Sequence, residues 1–218
     1  MKYDNLLPAA NMACVGIYPP INAADFDKVY QVNDTVCGVR LQGGTFFITF
    51  QGTVDAAGWM ADIDIVSVDH PELGHLHQGF YENLLPIKAM MTIPPDVTVI
   101  VTGHSKGAGE AVQFAALLHL DGHQVLPYLF ACPNAGEQDF ADWIAENMSG
   151  LSFRNGTDGN LLMNDPVPLV PEDPYVPPIA HTLIHVPPSG LDRLVPTEWH
   201  HAALYLRGVY QWVTDQNA

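Results

Sequence analysis

A change of hydrophobic period marks the most informative stretch of the chain. Residues 97–101 are all apolar or β-branched, which is typical of a strand buried on both faces. From Lys106 to Leu120 the apolar residues recur with helical spacing instead, at Ala108, Ala111, Val112, Ala115 and Leu118. The turn between them has the sequence G-x-S-x-G, formed by Gly103, Ser105 and Gly107. A serine in a tight turn between a strand and a helix predicts a nucleophile elbow.

The same two periods predict the other elements. Helices are predicted over residues 4–18, from the turn at 79–81 to about 91, over 137–147 and over 199–212. Strands are predicted over residues 28–32, 37–41, 45–50, 124–131, 151–154 and 181–186. Because strands and helices alternate, we expect an α/β fold with a central, mostly parallel sheet and helices on both faces. The site should then lie at the carboxyl ends of the strands.

An amphipathic stretch around residues 58–64 leaves two interpretations open. Its apolar residues either pack into the core or cover the serine as part of a short lid around 54–70. The chain has 218 residues and no recognisable linker, so we expect one domain over residues 1–218.

Charge and composition narrow the possible partners. The formal net charge of −16 disfavours nucleic acid, anionic membrane surfaces and strongly anionic substrates. No apolar run is long enough to span a membrane, and the N-terminus lacks the apolar core of a leader peptide. The sequence as it stands therefore predicts a cytoplasmic protein, or a secreted one if a leader has been removed. The three cysteines are widely spaced, which indicates free thiols rather than disulfides or a zinc site.

A catalytic serine needs an imidazole to accept its proton and a carboxylate to orient that imidazole. After a nucleophile elbow these follow in the order acid, then histidine. Asp165, in a proline-rich loop beyond a predicted strand, is favoured as the acid over Asp158, which lies in a glycine-containing turn. His200 and His201 both lie where the closing helix is predicted to begin, and their residue types alone do not separate them as the base.

Other histidines are given structural roles. His181 and His185 have strand-like neighbours, so we expect them to be structural. His75 and His77 have the spacing of a metal-binding pair, but no carboxylate or cysteine cluster adjoins them, so a metal site is not favoured.

The predicted elbow also needs two N–H donors for a negatively charged oxygen. The backbone N–H of Lys106, directly after the serine, is one candidate. Gln51-Gly52-Thr53 follows the predicted strand 45–50, and Thr53 is the candidate for the second donor. The alternative for this segment is an ordinary turn that ends a strand.

Five short segments occur in the order found in the class 3 lipases, an α/β-hydrolase family that includes fungal triacylglycerol lipases and feruloyl esterases. The chain resembles that family in I-T-F-Q-G-T at 48–53, G-W-M-A-D at 58–62, H-Q-G-F at 77–80, G-H-S-K-G at 103–107 and N-D-P-V-P at 164–168. Together the matches extend over roughly residues 45 to 205. Their combination is more specific than any one of them.

The resemblance implies a serine carboxylic-ester hydrolase that uses no metal or organic cofactor. It assigns Ser105 as nucleophile, Asp165 as acid and the N–H groups of Thr53 and Lys106 as oxyanion donors. Relatives often have H-x-x-x-x-Y at the base, and His200 has that spacing to Tyr205 whereas His201 does not, so the base is assigned to His200. We expect Trp59, Phe80 and Val167 to form the wall that contacts the acyl group.

The expected substrate is a small-molecule or lipid ester, with no stable membrane insertion and only transient contact with a lipid interface. Lys106 replaces the leucine or methionine usual after the serine, and we expect its ammonium to change the polarity of the pocket. The alternatives are a phospholipase or acyltransferase of the same fold, or a catalytically silent binding module. Acyl-chain preference and oligomeric state are not predicted by the sequence.

Overall fold

The computed structural model describes residues 3–53, 58, 65–157 and 163–217. Its strands are β1 Lys28–Val32, β2 Thr35–Gln42, β3 Thr45–Phe50, β4 Ser67–His70, β5 Gly74–His77, β6 Thr98–His104, β7 Val125–Phe130, β8 Gly136–Glu137, β9 Leu151–Asn155, β10 Tyr175–Val176 and β11 His181–Ile184. Its helices are α1 Leu6–Asn11, α2 Gln78–Tyr81, α3 Leu84–Met90, α4 Lys106–Leu120, α5 Gln138–Asn147 and α6 Ala202–Gln216. Among these helices, none is long and apolar enough to cross a membrane.

Within the described ranges, the main sheet has seven strands in the order β1-β2-β3-β6-β7-β9-β11. The first three are antiparallel, and those from β3 onward are parallel. The predicted mostly parallel sheet is therefore confirmed. Phe50, at the end of β3, is in register with both Cys37 of β2 and Gly103 of β6. The start of β2 and the ends of β3 and β6 consequently meet at one edge.

The core divides between the two faces of this sheet because neighbouring strand residues point in opposite directions. In β6, Val99 and Val101 pack with the elbow helix α4 on one face. Ile100 packs with α1 and α6 on the other. Helix α4 is buried along most of its length, since its residues from Lys106 to Leu118 are all buried. A helix enclosed on all sides gives its first turn a fixed position relative to the sheet.

The glycines of the elbow allow strand β6 to turn back directly onto α4. A Cβ at Gly103 would overlap the carbonyl group of Gly107, and a Cβ at Gly107 would overlap the carbonyl of Phe50. Ser105 between them has a φ of 60°, in the left-handed region that non-glycine residues rarely adopt. The predicted strand, turn and helix are thus confirmed, although the strand continues to His104.

A second sheet was not predicted. Strands β10, β8, β5 and β4 pair antiparallel, with Leu76 of β5 opposite Gly136 of β8. Two of these strands have only two residues, too few to show a period in the sequence. Residues 67–70 of the predicted lid region belong to this sheet as β4. Most of that region, residues 54–57 and 59–64, lies outside the described residues.

The closing helix begins later than predicted, at Ala202 rather than at residue 199. Residues Pro196–His200 instead form a 3₁₀ turn, and His201 has a non-helical ψ of 127°. The indole N–H of Trp199 donates to the carbonyl of Arg193 at 3.0 Å. This bond holds the turn against the preceding 3₁₀ turn, Gly190–Leu194. His200 is therefore presented on a turn and not on a helix.

We predict that Gly103→Ala lowers the free energy of unfolding by about 1–3 kcal/mol, because the added methyl group overlaps backbone that packing holds in place. The matched control is Gly79→Ala, whose Cβ would lie 3.2 Å from the His77 ring, a much milder contact, so its loss of stability should be smaller than that of Gly103→Ala. Urea denaturation followed by circular dichroism measures both. Equal stability of the two variants would contradict the close approach at the elbow.

Candidate active site

Ser105 is fixed by the backbone on both sides. Its N–H donates to the carbonyl of Phe130 in β7 at 3.0 Å, and its own carbonyl accepts from Ala108 at 2.8 Å. The residue caps helix α4, and the first N–H groups of a helix have no partner inside it. The N–H of Lys106, the residue after the serine, is one of these groups.

Three of the predicted residues form one line of hydrogen bonds. Ser105 Oγ lies 2.8 Å from His200 Nε2, and His200 Nδ1 lies 2.8 Å from Asp165 Oδ2. All three residues are buried, and Asp165 has no exposed surface. Because the carboxylate can only accept, His200 Nδ1 carries a proton and Nε2 of the neutral ring is free to accept from the serine. The arrangement can remove a proton from a serine hydroxyl.

The Asp165 carboxylate receives further donors that keep it in place. The backbone N–H of Val167 donates to Oδ1 at 2.9 Å, and the Tyr205 hydroxyl donates to Oδ2 at 2.5 Å. Burial, and then the neighbouring charge of Asp165, raises the pKa of Tyr205 well above its usual value, so the phenol keeps its proton. These donors offset the cost of burying the carboxylate and orient it towards the histidine.

Asn155, at the end of β9, joins the acid to the base. Its carbonyl accepts from the N–H of Asp165 at 2.9 Å, and its N–H donates to the Tyr205 hydroxyl at 3.0 Å. Its side-chain amide donates to the carbonyls of Val186 at 2.9 Å and Trp199 at 3.1 Å. Trp199 directly precedes His200. One buried asparagine therefore fixes the backbone on both sides of the triad.

A second buried imidazole supports the base from behind. His104 Nε2 lies 3.0 Å from the carbonyl of His200, so this nitrogen carries the proton. The other nitrogen then accepts from the hydroxyl of Tyr18 at 2.8 Å. Burial, and then the nearby His200, lowers the pKa of His104 well below its usual value. His104 is thus a neutral support whose tautomer is set by its two partners.

The two candidate oxyanion segments lie beside each other. A Cβ at Gly52 would overlap the carbonyl of His104 and lie 3.2 Å from the Cβ of Ser105. Thr53 is the next residue and is half-buried. The segment carrying Thr53 thus passes next to the nucleophile, on the side where α4 begins. The assignment of Thr53 and Lys106 as donors stays a prediction.

The Lys106 side chain is paired with carboxylates. Its ammonium lies 2.7 Å from Asp34 Oδ2 and 3.0 Å from Glu110 Oε1. Glu110 is fully buried and also accepts from the Thr35 hydroxyl at 2.7 Å. Burial raises the pKa of Glu110 to about 7, against the opposing effect of Lys106. The charge expected near the pocket is therefore neutralised by neighbouring acidic groups.

The residues predicted to bind the acyl group lie in different surroundings. Trp59 is outside the described residues, as is Asp158, the other candidate acid. Phe80 is buried, stacks on the His77 ring at 4.3 Å between centroids, and lies under α4. Val167 is also buried, beside Asp165. Contact of these side chains with an acyl group stays a prediction.

The remaining histidines lie apart from the serine. His201 Nε2 pairs with Glu198 at 2.8 Å on the surface. His181 bonds Ser152 at 2.9 Å and His185 bonds the Gly156 carbonyl at 3.3 Å, which agrees with their predicted structural roles. His75 Nδ1 lies 2.7 Å from Asp139 Oδ2. In the part of the chain that the structure describes, no group of three potential metal ligands is present.

Comparison with known proteins identifies the family. The profile of the family described as "Lipase (class 3)" matches residues 47–174, more than half of the chain. The chain belongs to the class 3 lipase family. A lipase of Rhizomucor miehei is 24% identical over 156 residues, which cover 65% of this chain and 40% of that protein. A "Secreted mono- and diacylglycerol lipase 1" of Fusarium solani is 28% identical over 145 residues, covering 62% of this chain and 41% of that protein.

The solved structure of the Rhizomucor miehei triacylglyceride lipase superimposes with a TM-score of 0.68 at 18% identity, covering 85% of this chain and 80% of that one. The α/β-hydrolase fold predicted for this class 3 lipase is confirmed by that likeness. The chain spans about 40% of the length of the curated relatives it matches. Family and fold are therefore assigned.

Sequence reasoning missed the residues that hold Asp165 and His200 in place in this class 3 lipase. Tyr205 entered only through its spacing from His200, without a role. Tyr18 gave no signal and Asn155 only a weak one, because single polar residues at the end of a strand or helix are common. The one clue was a buried-strand pattern that ends in an asparagine, at Leu151-Ser-Phe-Arg-Asn155.

We predict that Tyr205→Phe lowers the free energy of unfolding by about 1–3 kcal/mol, because it leaves the buried N–H of Asn155 without its acceptor. Tyr210→Phe is the control, since that hydroxyl, on the same helix, bonds Asn11 at the surface. Thermal and urea denaturation of both variants measure the difference. A loss of stability no larger than that of Tyr210→Phe would refute the role of the Tyr205 hydroxyl as acceptor for the Asn155 N–H.

We further predict a difference in how stability varies with pH between wild type and Glu110→Gln. Since folding raises the pKa of Glu110 from 4.5 to about 7, the folded state binds the proton more tightly in that interval. The unfolding free energy of the wild type should therefore fall, relative to the variant, as the pH rises from 4.5 to 7. Denaturant titrations at several pH values measure it, and parallel curves would contradict the shift.

Proposed function

We propose that this class 3 lipase is a serine carboxylic-ester hydrolase that acts through an acyl-enzyme intermediate. The observation that carries the proposal is the buried line of hydrogen bonds from Asp165 through His200 to Ser105. The proposal treats residues 1–218 as one α/β-hydrolase domain and requires no metal or organic cofactor.

In the first half of the reaction, Ser105 Oγ attacks the carbonyl carbon of the ester while His200 Nε2 accepts the hydroxyl proton. The developing oxyanion accepts from the N–H groups of Thr53 and Lys106. Asp165, held by Tyr205 and the N–H of Val167, stabilises the imidazolium. When the tetrahedral intermediate collapses, His200 gives its proton to the leaving alcohol oxygen.

In the second half, water enters and His200 removes one of its protons as the oxygen attacks the acyl carbon. The second tetrahedral intermediate uses the same two N–H groups. Its collapse returns the proton to Ser105 Oγ and releases the carboxylic acid. The acid product carries a negative charge, and the net charge of −16 on the chain favours its departure.

For the substrate we propose a neutral ester, either an acylglycerol or a shorter soluble ester. The support is the names of the relatives, a triacylglyceride lipase and a mono- and diacylglycerol lipase, together with the strongly acidic composition. Contact with a lipid interface would then be transient and with uncharged lipid. The cytoplasmic location, with export as its alternative, stays a prediction.

The test is hydrolysis of p-nitrophenyl esters of increasing acyl length, followed by emulsified triacylglycerol. We expect turnover by the wild type and a loss of about 10⁴- to 10⁶-fold in kcat for Ser105→Ala and for His200→Ala. The best chain length separates esterase from lipase. A wild type that turns over none of these esters would refute the proposal.

His201→Ala is the matched control, because it removes the adjacent imidazole, which pairs with Glu198 at the surface. Its kcat should stay near that of the wild type. If His201→Ala were inactive and His200→Ala active, the base would be wrongly assigned. Labelling of Ser105 by a fluorophosphonate without ester turnover would favour a transferase over a hydrolase, and no labelling at all would favour a binding module.

A further inference from the structure

The ion pairs of Lys106 lie at the same edge of the sheet as the proposed active site. Asp34, in the turn between β1 and β2, pairs with the Lys106 ammonium at 2.7 Å. The next residue, Thr35, donates its hydroxyl to Glu110 at 2.7 Å. Lys106 and Glu110 are four residues apart in α4 and pair with each other at 3.0 Å. The first turn of α4 is thereby fastened to the start of β2.

Asn83 strengthens this attachment from a third direction. Its side-chain amide donates to Asp34 Oδ1 and lies 3.2 Å from both that oxygen and the Thr35 hydroxyl. The polar residues that hold Lys106 thus come from the β1–β2 turn, from α4 and from the residue that precedes α3. Such a convergence leaves the lysine side chain little freedom, and only 9% of it is exposed.

The start of β2 also holds the other proposed oxyanion segment. The N–H of Gln51 donates to the carbonyl of Val36 at 2.9 Å. Gln51 is two residues before Thr53. The three consecutive residues Asp34, Thr35 and Val36 therefore contact both parts of the chain that carry the proposed donors.

We propose that Lys106 acts twice in the oxyanion site, through its backbone N–H as donor and through its side chain as the anchor that positions that N–H relative to Thr53. The anchor is the ion-paired group Lys106, Glu110 and Asp34, which we call the elbow anchor. The inference rests on the proposed function, because it assumes that the N–H of Lys106 receives an oxyanion.

The elbow anchor acts on the transition state more than on the bound substrate. Oxyanion donors must lie about 2.7–3.1 Å from the charged oxygen that forms during the reaction, and they contact the neutral carbonyl less closely. A small displacement of the donor therefore lowers kcat and leaves KM nearly unchanged. A displacement of about 1 Å costs up to ~10²-fold in rate, so we expect a loss of roughly 10-fold when the anchor is broken.

The first experiment measures kcat and KM on a soluble p-nitrophenyl ester for Asp34→Asn, Glu110→Gln and Lys106→Met. Each should lose about 10-fold in kcat, with KM within about twofold of the wild type. Lys106→Arg keeps a cation within reach of both carboxylates and should recover most of the loss. The side chain of Asp34 is 72% exposed, so Asp34→Asn tests the anchor without threatening the core.

The matched control is Asp121→Asn. Asp121 follows the opposite end of α4 and pairs with Lys88 at 2.6 Å, so the variant removes a lysine–carboxylate pair of the same kind far from Ser105. Its kcat should equal that of the wild type. An equal loss in Asp121→Asn and Asp34→Asn would mean that any weakening of α4 lowers activity, and it would overturn the anchor.

A second measurement does not depend on turnover. Lysine occurs at only four positions, Lys2, Lys28, Lys88 and Lys106, so selective ¹⁵N-lysine labelling makes the Lys106 amide directly observable by NMR. Asp34→Asn and Glu110→Gln should shift the Lys106 signal, whereas Asp121→Asn should shift that of Lys88. An unmoved Lys106 signal in both anchor variants would overturn the inference even if the ester assay succeeded.

The two measurements separate the failure of the inference from that of the proposed function. No ester turnover by the wild type would refute the hydrolase proposal and, with it, the catalytic part of the anchor. Shifts of the Lys106 amide with unchanged kcat would refute the positioning role alone. Shifts accompanied by a loss in kcat at constant KM, with recovery in Lys106→Arg, would support both.

Discussion

The backbone of Ser105 is the constraint on which the rest of the structure depends. A left-handed φ in a serine persists only where the surroundings determine it, and here β6, β7 and α4 do so together. The glycines at 103 and 107 allow the approach, and the burial of α4 from Lys106 to Leu118 prevents the turn from relaxing. The Ser105 hydroxyl is consequently held at the carboxyl ends of the strands, and the other polar groups of the site are arranged around it.

The sequence predicted the parts whose signals are local. The elbow, the strands of the main sheet and Asp165 all follow from residue period or from a motif within a few positions. His200 needed the family spacing, since nothing local separated it from His201. The second sheet was missed because its strands have only two to four residues, and because β8 pairs with β5 and β10 across long separations. Asn155 and Tyr205 were missed for a related reason, because the partners of their side chains lie between 31 and 50 residues away.

Lys106 shows how a local rule gives an incomplete answer. A lysine beside a catalytic serine looks, in sequence, like a charge added to a pocket. In the fold its ammonium meets a carboxylate one helical turn on and another from a hairpin more than 70 residues earlier. A buried charge is tolerated where it is paired and hydrogen-bonded, and only the tertiary structure supplies those partners. The charge of Lys106 therefore acts on the carboxylates of Glu110 and Asp34.

The bonds to Asn155 have a consequence for how this site can vary. The Asn155 carbonyl accepts from the N–H of Asp165, and Gly156, the next residue, forms a β-bridge with Asn164. The chain between residues 156 and 164 therefore leaves and returns beside Asn155. The Asn155 side chain bonds both Val186 and Trp199, so the chain between residues 187 and 198 also leaves and returns beside Asn155. Both stretches of chain leave and return at Asn155. A change in their length therefore need not alter the distance between Asp165 and His200.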